Sequence, residues 1–534
     1  MIRIQEIKLT LDETLDDLPK KIIKKLRISK EDLISWRVVK ESLDARKIAD
    51  IHFTYCIDCK VKQEEQVLRH NPKITRVKEY HYTYPKPGKK QLIHRPVVVG
   101  FGPAGMFAAL ILAQMGYCPL VIERGECVEQ RVKSVEEFWQ SGKLNPCSNV
   151  QFGEGGAGTF SDGKLTARSK DLRVHKVLEE LVHFGAPKDI LYMAHPHIGT
   201  DLLRDIVKQL REEIISLGGE VRFQSQLTDL KIKDGKLCGI VVNGNEEITT
   251  DQVILAIGHS ARDTYRFLYE KGIAMEAKAF AIGARIEHPQ SLINKAQFKQ
   301  FANHPRLSAA EYRLTHSARN GRGVYTFCMC PGGTVVPSSS IEGGVVVNGM
   351  SEHARDKENA NSALLVQVRP EDFGENPMDG IAYQEELERK AFQLGGGNYK
   401  APAQLVKDFL NHQPSIAMGK VKPSYALGVT PCDLHEILPK YITSAMEEAI
   451  IALDHKLKGF AYDDAVLTGV ETRSSSPIRI NRTKDNLQSI NLEGLYPCGE
   501  GAGFAGGIVS AAIDGIRCAE QIIQEFSFEK ISKL

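Results

Sequence analysis

Three glycines, Gly100, Gly102 and Gly105, follow the apolar run PVVV with the spacing G-x-G-x-x-G. In this motif the first glycine makes a tight turn, the second lets the backbone approach a pyrophosphate, and the third allows a helix to pack against the strand. The start of that helix, with Pro103 and Ala104, would present free N–H groups and partial positive charge to phosphates. The spacing therefore predicts a dinucleotide phosphate loop.

A second apolar run, CPLVIE, ends in Glu123, at about the 20-residue separation expected of the acid that binds a ribose. Its carboxylate would repel a 2′-phosphate, so Glu123, with Arg124 beside it, favours FAD or NAD over NADP. Residues 97–125 are also apolar enough to suggest a membrane span, but the glycines and proline at the start would break such a helix. We therefore expect no membrane association.

A glycine-rich segment near the C-terminus supplies a second nucleotide-type element. Gly499 and Glu500 follow an apolar strand pattern, and Gly506, Gly507 and Ile508 lead into a predicted helix. A carboxylate there can hold ribityl hydroxyls, and a helix N-terminus can stabilise negative charge on a reduced flavin. Because no second ribose acid follows, this segment favours FAD, with simple glycine-rich helix packing as the alternative.

The chain resembles the two-dinucleotide-fold flavoproteins related to glutathione reductase, and more narrowly the bacterial FAD-dependent proteins labelled NAD(FAD)-utilising dehydrogenases. The resemblance covers residues 95–525 approximately, and its most specific segments are 151–165 (QFGEGGAGTFSDGKL), 195–201 (HPHIGTD), 327–333 (FCMCPGG), 347–351 (VNGMS) and 494–510. It implies that FAD also contacts Gly156, Gly158, Thr159, Asp162, Lys164, Ala256 and Gly258. The chain departs from the superfamily at Glu500, where an Asp is common. It also has no second G-x-G-x-x-G with its own ribose acid, so NAD(P)H would bind only transiently over the flavin.

The order of elements predicts an α/β protein with a Rossmann-like FAD-binding domain built from discontinuous segments, 91–264 and 461–534. A mixed α+β substrate or cap domain is inserted at 265–460, and a small basic α/β module occupies 1–90. A hairpin is expected around KIKDGKLCGIVVNGN, and helical runs are expected at NSALLVQV and EAIIALDHKLK.

Five residues are candidates for the chemistry. His195 and His197 could transfer protons near neutral pH, although H-x-H is also common as a turn or capping pair. Cys328 and Cys330 should share one face of a strand, as reactive thiols beside the flavin or as small buried residues. Arg473 could bind a carboxylate or phosphate of the substrate, with a salt bridge as the alternative.

Three further features have weaker chemical signals. Arg479 has the same two interpretations as Arg473, and Lys164 could reach an FAD phosphate or the flavin edge. Cys56 and Cys59 lie three apart in an alternating strand pattern, so they should face opposite sides, and we predict no metal site.

Composition restricts the location and the partners. The eleven cysteines are dispersed and odd in number, which favours thiols in a reducing compartment. The first residues are acidic where a signal peptide is basic and then apolar, so we expect a cytoplasmic protein. The basic N-terminal module could contact nucleic acid, but its interleaved acids favour a solvated helix face.

Together these features predict an FAD-dependent, dehydrogenase-like oxidoreductase. It would transfer a hydride between the flavin and a small organic substrate or NAD(P)H. The alternatives are a flavin-dependent RNA-modifying enzyme and a non-catalytic flavin redox sensor.

Overall fold

The computed structural model describes residues 1–166 and 169–528. Its centre is a five-stranded parallel sheet with the order Leu495–Pro497, Val253–Leu255, Val97–Val99, Leu120–Ile122, Glu220–Arg222. Each of these strands is short. The three central strands of the sheet are fully apolar and buried, as expected for a parallel sheet covered on both faces. The sheet and its helices form the predicted Rossmann-like α/β fold.

Two helices cover this sheet and pack against each other. Pro103–Gln114 is apolar on all sides and buries every residue from Ala104 to Ala113, whereas Ile508–Glu525 returns the chain to the same layer. The contact is close, because a Cβ added at Gly515 would lie 2.0 Å from the Ala104 carbonyl oxygen. Both helices begin at the same end of the sheet, where the strands Val97–Val99 and Leu495–Pro497 end.

A seven-stranded, mostly antiparallel sheet forms the second large part of the fold. Its order is Thr315–Ser317, Gly323–Cys330, Asn359–Val368, Phe280–Pro289, Val466–Glu471, Ala401–Leu405, Val429–Pro431. The helices Asp379–Leu394 and Lys440–Lys456 flank it. The segment NSALLVQV was expected to be helical, and that expectation is wrong: it lies in Asn359–Val368, a central strand buried along nearly its whole length. A short apolar run fits a buried strand and a buried helix equally well.

The N-terminal module is a four-stranded sheet in the order Leu33–Asp44, His52–Val61, Ile2–Thr10, Thr75–Arg76. Helix Leu18–Leu26 buries Leu18, Ile22 and Leu26, one side of three successive turns, and three of its four lysines are exposed. Cys59 is buried in the module and Cys56 is half-buried. The module shares one hydrophobic cluster with the seven-stranded sheet.

The remaining elements connect these parts. The other helices are Glu64–His70, Val128–Ser141, Arg173–His183, Thr200–Ser216, Arg262–Glu270, Gln290–Phe298, Pro370–Phe373 and Val406–Leu410. The other strands are the predicted hairpin Leu227–Lys233 and Lys236–Val242 with Glu246–Thr249, and the pairs Thr334–Pro337 with Val347–Met350, Met275–Ala277 with Ile478–Ile480, and Lys90–Gln91 with Phe526–Ser527. Among the residues described, every helix is too short or too polar to cross a bilayer.

Candidate active site

One large cavity, of about 1370 Å³, opens where the parallel sheet meets the seven-stranded sheet. Ligand sites commonly enclose about 300 to 1,000 Å³, so this cavity has room for a cofactor together with a second molecule. Sixteen predicted cofactor residues line it: Gly100, Gly102, Pro103, Ala104, Glu123, Arg124, Gly156, Gly158, Asp162, Lys164, Ala256, Gly258, Glu500, Gly506, Gly507 and Ile508. His195, Cys328 and Arg473 line it as well. Segments far apart in sequence therefore share one site.

The phosphate loop has the close contacts that its glycines predict. Gly100 has a φ of +94°, and a Cβ there would lie 2.3 Å from the Ala256 carbonyl oxygen. A Cβ at Gly105 would lie 1.9 Å from the Gly100 carbonyl oxygen, so Gly105 shapes the loop from behind the cavity wall. Gly102 caps the N-terminus of Pro103–Gln114. The first helical turn thus faces the cavity with its backbone N–H groups.

The second helix start is equally open. Gly507 caps Ile508–Glu525, and a Cβ added at Gly506 or Gly258 would have no atom of the described chain within 4 Å. These glycines leave bare backbone along the cavity. Two helix N-termini therefore offer positive potential and free donors to one ligand, an arrangement that suits the pyrophosphate at one end and the electron-rich edge of a flavin at the other. The residues present fit FAD.

Glu123 lies at the end of its strand as the ribose acid should. One carboxylate oxygen accepts from the Phe101 N–H at 2.8 Å, and the other accepts from the Gly125 and Gly153 N–H groups, both at 2.9 Å. The side chain is buried, and these contacts fix it at the cavity edge. A carboxylate offers about four acceptor positions, so acceptor capacity remains for a ribose hydroxyl.

Two predicted FAD ligands have other partners in the fold. Arg124 lines the cavity, but its guanidinium donates to Asp263 at 2.8 and 3.1 Å and to Thr264 at 2.9 Å. Thr159 is buried, donates to the Glu154 carbonyl, and accepts through its own carbonyl from Thr200. Within the described chain, Thr159, Gly105, Gly499, His197 and Cys330 are absent from the cavity lining.

Asp162 connects the cofactor side of the cavity to the seven-stranded sheet. It is fully buried and accepts from Lys164 and, in a bidentate pair, from Arg355. Burial alone would raise the pKa of Asp162, but the two cations hold it below its ordinary value. Lys164 also donates to the Met329 carbonyl, so its ammonium is positioned beside Cys328.

The two histidines of H-x-H separate in the structure. His195 is exposed, lines the cavity, and its Nδ1 lies 2.9 Å from Glu311, a hydrogen bond that raises the pKa of His195. His197 stacks on His353 and bonds to its carbonyl oxygen at 3.2 Å, and burial lowers its pKa. His195 is therefore available to a ligand, whereas His197 is held by contacts within the fold.

The cysteine pair lies on a β-bulge that interrupts the alternation expected of the strand. The pairing register shifts between Phe327 and Cys330, and Cys328 has a φ of +42°. Cys328 borders the cavity, whereas Cys330 is buried behind it. A hydrogen bond from the Cys330 thiol lowers the pKa of Cys328 against the effect of burial, and Arg285 and Lys164 act in the same direction.

A buried ion pair beneath this bulge was not apparent in the sequence. Arg285 donates to Glu471 at 2.6 and 3.2 Å, to the Cys328 carbonyl at 2.8 Å, and to Asn348 and Asn361 at 2.9 Å. Glu471 lines the cavity, and burial raises its pKa to about 7 even though Arg285 opposes this. A carboxyl group with such a pKa can accept or donate a proton near neutrality.

Arg473 also faces the cavity, but most of its donors are already used. It donates to Glu388 at 2.8 and 3.0 Å and to Ser340 and Ser260, and Arg262 donates to the same glutamate at 2.7 and 2.8 Å. Two guanidinium groups on one carboxylate hold its pKa far below the ordinary value despite burial. Arg479 lies outside this network, in an exposed ion pair with Glu276 at 3.4 Å.

Glu500 and His259 complete the polar lining on the cofactor side. Burial raises the pKa of Glu500 to about 7, and burial together with Arg473 and Arg262 lowers the pKa of His259 to about 3. His259 follows the strand Val253–Leu255 at the sheet edge where ligands of α/β folds bind. Its position after the strand pattern QVILAIG was a sequence signal that could have identified it.

Family comparisons agree with this architecture. Residues 94–266 match the family described as pyridine nucleotide-disulphide oxidoreductase, residues 279–474 match "FAD-dependent protein, C-terminal domain-like", and residues 1–60 match a domain of unknown function. With the cavity described above, these matches define the chain as an FAD-dependent flavoprotein of the oxidoreductase class. It belongs to the same family as an uncharacterized protein of Clostridium beijerinckii, to which it is 55% identical over 533 residues, 99% of this chain and 100% of that one.

More distant similarities are weaker. A digeranylgeranylglycerophospholipid reductase of Haloferax volcanii is 28% identical over 165 residues, 31% of this chain and 35% of that protein. Glycine oxidase from Bacillus cereus is 9% identical with a TM-score of 0.32, covering 81% of this chain and 98% of that one. Glycerol-3-phosphate dehydrogenase from Bacillus halodurans is 11% identical with a TM-score of 0.35, covering 82% and 65%.

Proposed function

We propose that the protein transfers a hydride between FAD and a small organic substrate, with NAD(P)H binding transiently at the same face. The observation that carries this proposal is the continuity of one cavity from the phosphate loop at Gly100 and Gly102 to Cys328, Lys164 and Glu471 on the seven-stranded sheet. When bound, FAD supplies the hydride-accepting and hydride-donating chemistry. The chain supplies the binding, orientation and proton transfer.

The cofactor would be held from both ends. The helix start at Gly102 and Pro103 would face the pyrophosphate, Glu123 would accept from the ribose, and Glu500 with the helix start at Ile508 would lie at the flavin end. Gly102, Glu123 and Glu500 each lie shortly after a strand of the parallel sheet. The flavin end would then face the bulge that carries Cys328.

Glu471 is our candidate for the proton-transfer residue. When a substrate carbon loses a hydride, the oxygen or nitrogen attached to it must lose a proton, and the Glu471 carboxylate can accept that proton. Arg285 holds the carboxylate in place, and the pKa of about 7 makes both of its protonation states accessible. Lys164 and His195 offer positive charge to an anionic part of the substrate at the cavity mouth.

The test is anaerobic mixing of the FAD-loaded protein with NADH, with NADPH, and with a panel of hydroxy acids, amines and thiols, following the visible flavin absorbance. We expect at least one compound to bleach the flavin at a saturable rate. Glu471→Gln should retain bound FAD and be reduced more slowly by a substrate that loses a proton together with its hydride, while Glu276→Gln, the same chemical change in an exposed pair, should behave as wild type. A flavin that no compound reduces would contradict the proposal.

A further inference from the structure

A cluster of two histidines and one glutamate lies at the edge of the seven-stranded sheet, away from the flavin cavity. His412 is in the turn after helix Val406–Leu410, His435 follows the edge strand Val429–Pro431, and Glu447 is on helix Lys440–Lys456. None of the three is among the cavity-lining residues of the described chain. Three separate elements thus bring one ligand-type side chain each to one place.

The distances are those of a metal site that needs little adjustment. His435 Nε2 lies 2.9 Å from one Glu447 oxygen, His412 Nε2 lies 3.6 Å from the other, and one ligand atom from each residue falls within 4.8 Å of the rest. Around tetrahedral zinc, bonds of about 2.0 Å separate ligand atoms by about 3.3 Å. Small rotations of the partly exposed side chains would therefore admit an ion.

A supporting residue already orients the central histidine. Asp433 accepts from His435 Nδ1 at 2.6 Å and from the His435 main-chain N–H at 3.0 Å, and the ring of Phe409 stacks on the imidazole at 4.6 Å. A carboxylate on the far ring nitrogen is the usual second partner of a metal-binding histidine, because it fixes the tautomer and increases ligand basicity. His435 Nε2 contacts the Glu447 carboxylate at 2.9 Å, and a bound ion would replace this contact.

The turn that ends helix Val406–Leu410 brings the third side chain to the same place. His412 has a φ of +53°, the left-handed conformation in which helices commonly end, and this turn places its ring 4.9 Å from the ring of His435. Asp433 and Glu447 bring two carboxylates to this cluster, and a divalent cation would offset their charge.

We propose that His412, His435 and Glu447 bind a divalent transition-metal ion, with Zn²⁺ the best match for imidazole and carboxylate ligands. Three protein ligands leave a fourth position for water. The ion would tie a turn, an edge strand and a helix together, so its role would be to stabilise this sheet edge independently of the flavin.

A competing cluster is already neutralised by the protein. Cys498, Asp514 and Cys518 also bring ligand atoms within 4.8 Å of one another. However, the buried guanidinium of Arg482 donates to Asp514 at 2.6 and 2.9 Å and lies 3.7 Å from the Cys518 sulfur. That cation occupies the place where a metal would bind, so this cluster has no need of one.

The test is a calorimetric titration of chelator-treated, FAD-loaded protein with Zn²⁺. We expect one ion per chain for wild type, and loss of that binding in His412→Ala and Glu447→Gln. Asp433→Asn, which removes only the orienting residue, should weaken affinity by about tenfold or more. His455→Gln on the same helix is exposed and serves as the matched control, with wild-type binding expected.

Thermal unfolding supplies a second measurement. Zn²⁺ should raise the melting temperature of wild type and of His455→Gln but not of His412→Ala, because an ion that binds only the folded chain stabilises it. The His412 side chain is 65% exposed, so its removal should leave the fold and the flavin absorbance intact. Wild-type protein that takes up no Zn²⁺, or His412→Ala that binds it with unchanged affinity, would overturn the proposal.

Discussion

Replacing Glu123 with Gln tests the cofactor site and the fold at the same time. The carboxylate accepts three backbone N–H groups, two on one oxygen and one on the other. A Gln side chain has a single acceptor oxygen. If that oxygen keeps the contacts with Gly125 and Gly153, the amide NH₂ faces the Phe101 N–H, and two donors then oppose each other in a buried place.

The loss of one hydrogen bond to a charged acceptor, with its buried partner left unsatisfied, should cost about 2 to 3 kcal/mol of stability. For a domain of the size of the FAD-binding domain, this loss of stability corresponds to a fall of about 5 to 10 °C in the melting temperature of the apoprotein. The ribose would lose a charged acceptor as well, so FAD affinity should fall by about tenfold to a hundredfold.

Both quantities are measurable on one preparation, by calorimetric melting of the apoprotein and by titration with FAD. Glu126→Gln is the matched control, because it is the same chemical change three residues away. Glu126 accepts from Ser134 and is outside the described cavity lining. The control should keep its FAD affinity. If Glu123→Gln melted and bound FAD as wild type does, both the hydrogen-bond argument and the ribose assignment would be refuted.

Further substitutions test the glycines of the cofactor site, the proposed proton-transfer residue Glu471, and the attachment of the N-terminal module. Gly105→Ala places a Cβ 1.9 Å from a carbonyl oxygen and should yield protein that circular dichroism shows to be poorly folded. Gly506→Ala places its Cβ in open space, so this variant should keep the apoprotein melting temperature and lose FAD affinity. Equal behaviour of the two variants would contradict the loop geometry. Because burial raises the pKa of Glu471 from 4.5 to about 7, the folded chain should lose stability as the pH rises through that window, and substrate oxidation should accelerate through pH 7. Glu471→Gln should reduce the slope of melting temperature against pH, with Glu500 supplying a remaining slope because its pKa is also about 7, and should change the pH–rate profile in stopped-flow experiments. A slope and a pH–rate profile that both equal those of wild type would exclude this residue. Arg306 donates to the Thr10 and Glu13 carbonyls and lies 4.5 Å over the ring of Phe53. Arg306→Ala should therefore speed proteolytic release of the N-terminal module without loss of flavin absorbance. An unchanged rate of proteolysis would show that Arg306 does not anchor the module.

The phosphate loop and the parallel sheet could be predicted because their signals are local. A strand, a glycine turn, a helix and an acid at the next strand end occupy fewer than about 30 consecutive residues. The glycine-rich tail ending at Ile508 has the same local character. The structure brings both segments to one cavity.

The substrate side of the cavity could not be predicted in the same way. Arg285 and Glu471 are 186 residues apart, and Asp162 and Arg355 are 193 apart, so no spacing rule links either pair. The bulge at Cys328 depends on how its strand pairs with Asn359–Val368, which itself lacked a strand signature. Long-range pairing therefore decides which of the cysteines faces the cavity.

We expect this cavity to hold one FAD, bound at its diphosphate and at its adenosine. The most direct measurement is titration of the apoprotein with FAD and, in parallel, with FMN, which lacks the adenosine that Glu123 would hold. One FAD should bind per chain, with FMN bound far more weakly. Protein that takes up neither flavin, or that binds FMN as tightly as FAD, would contradict it.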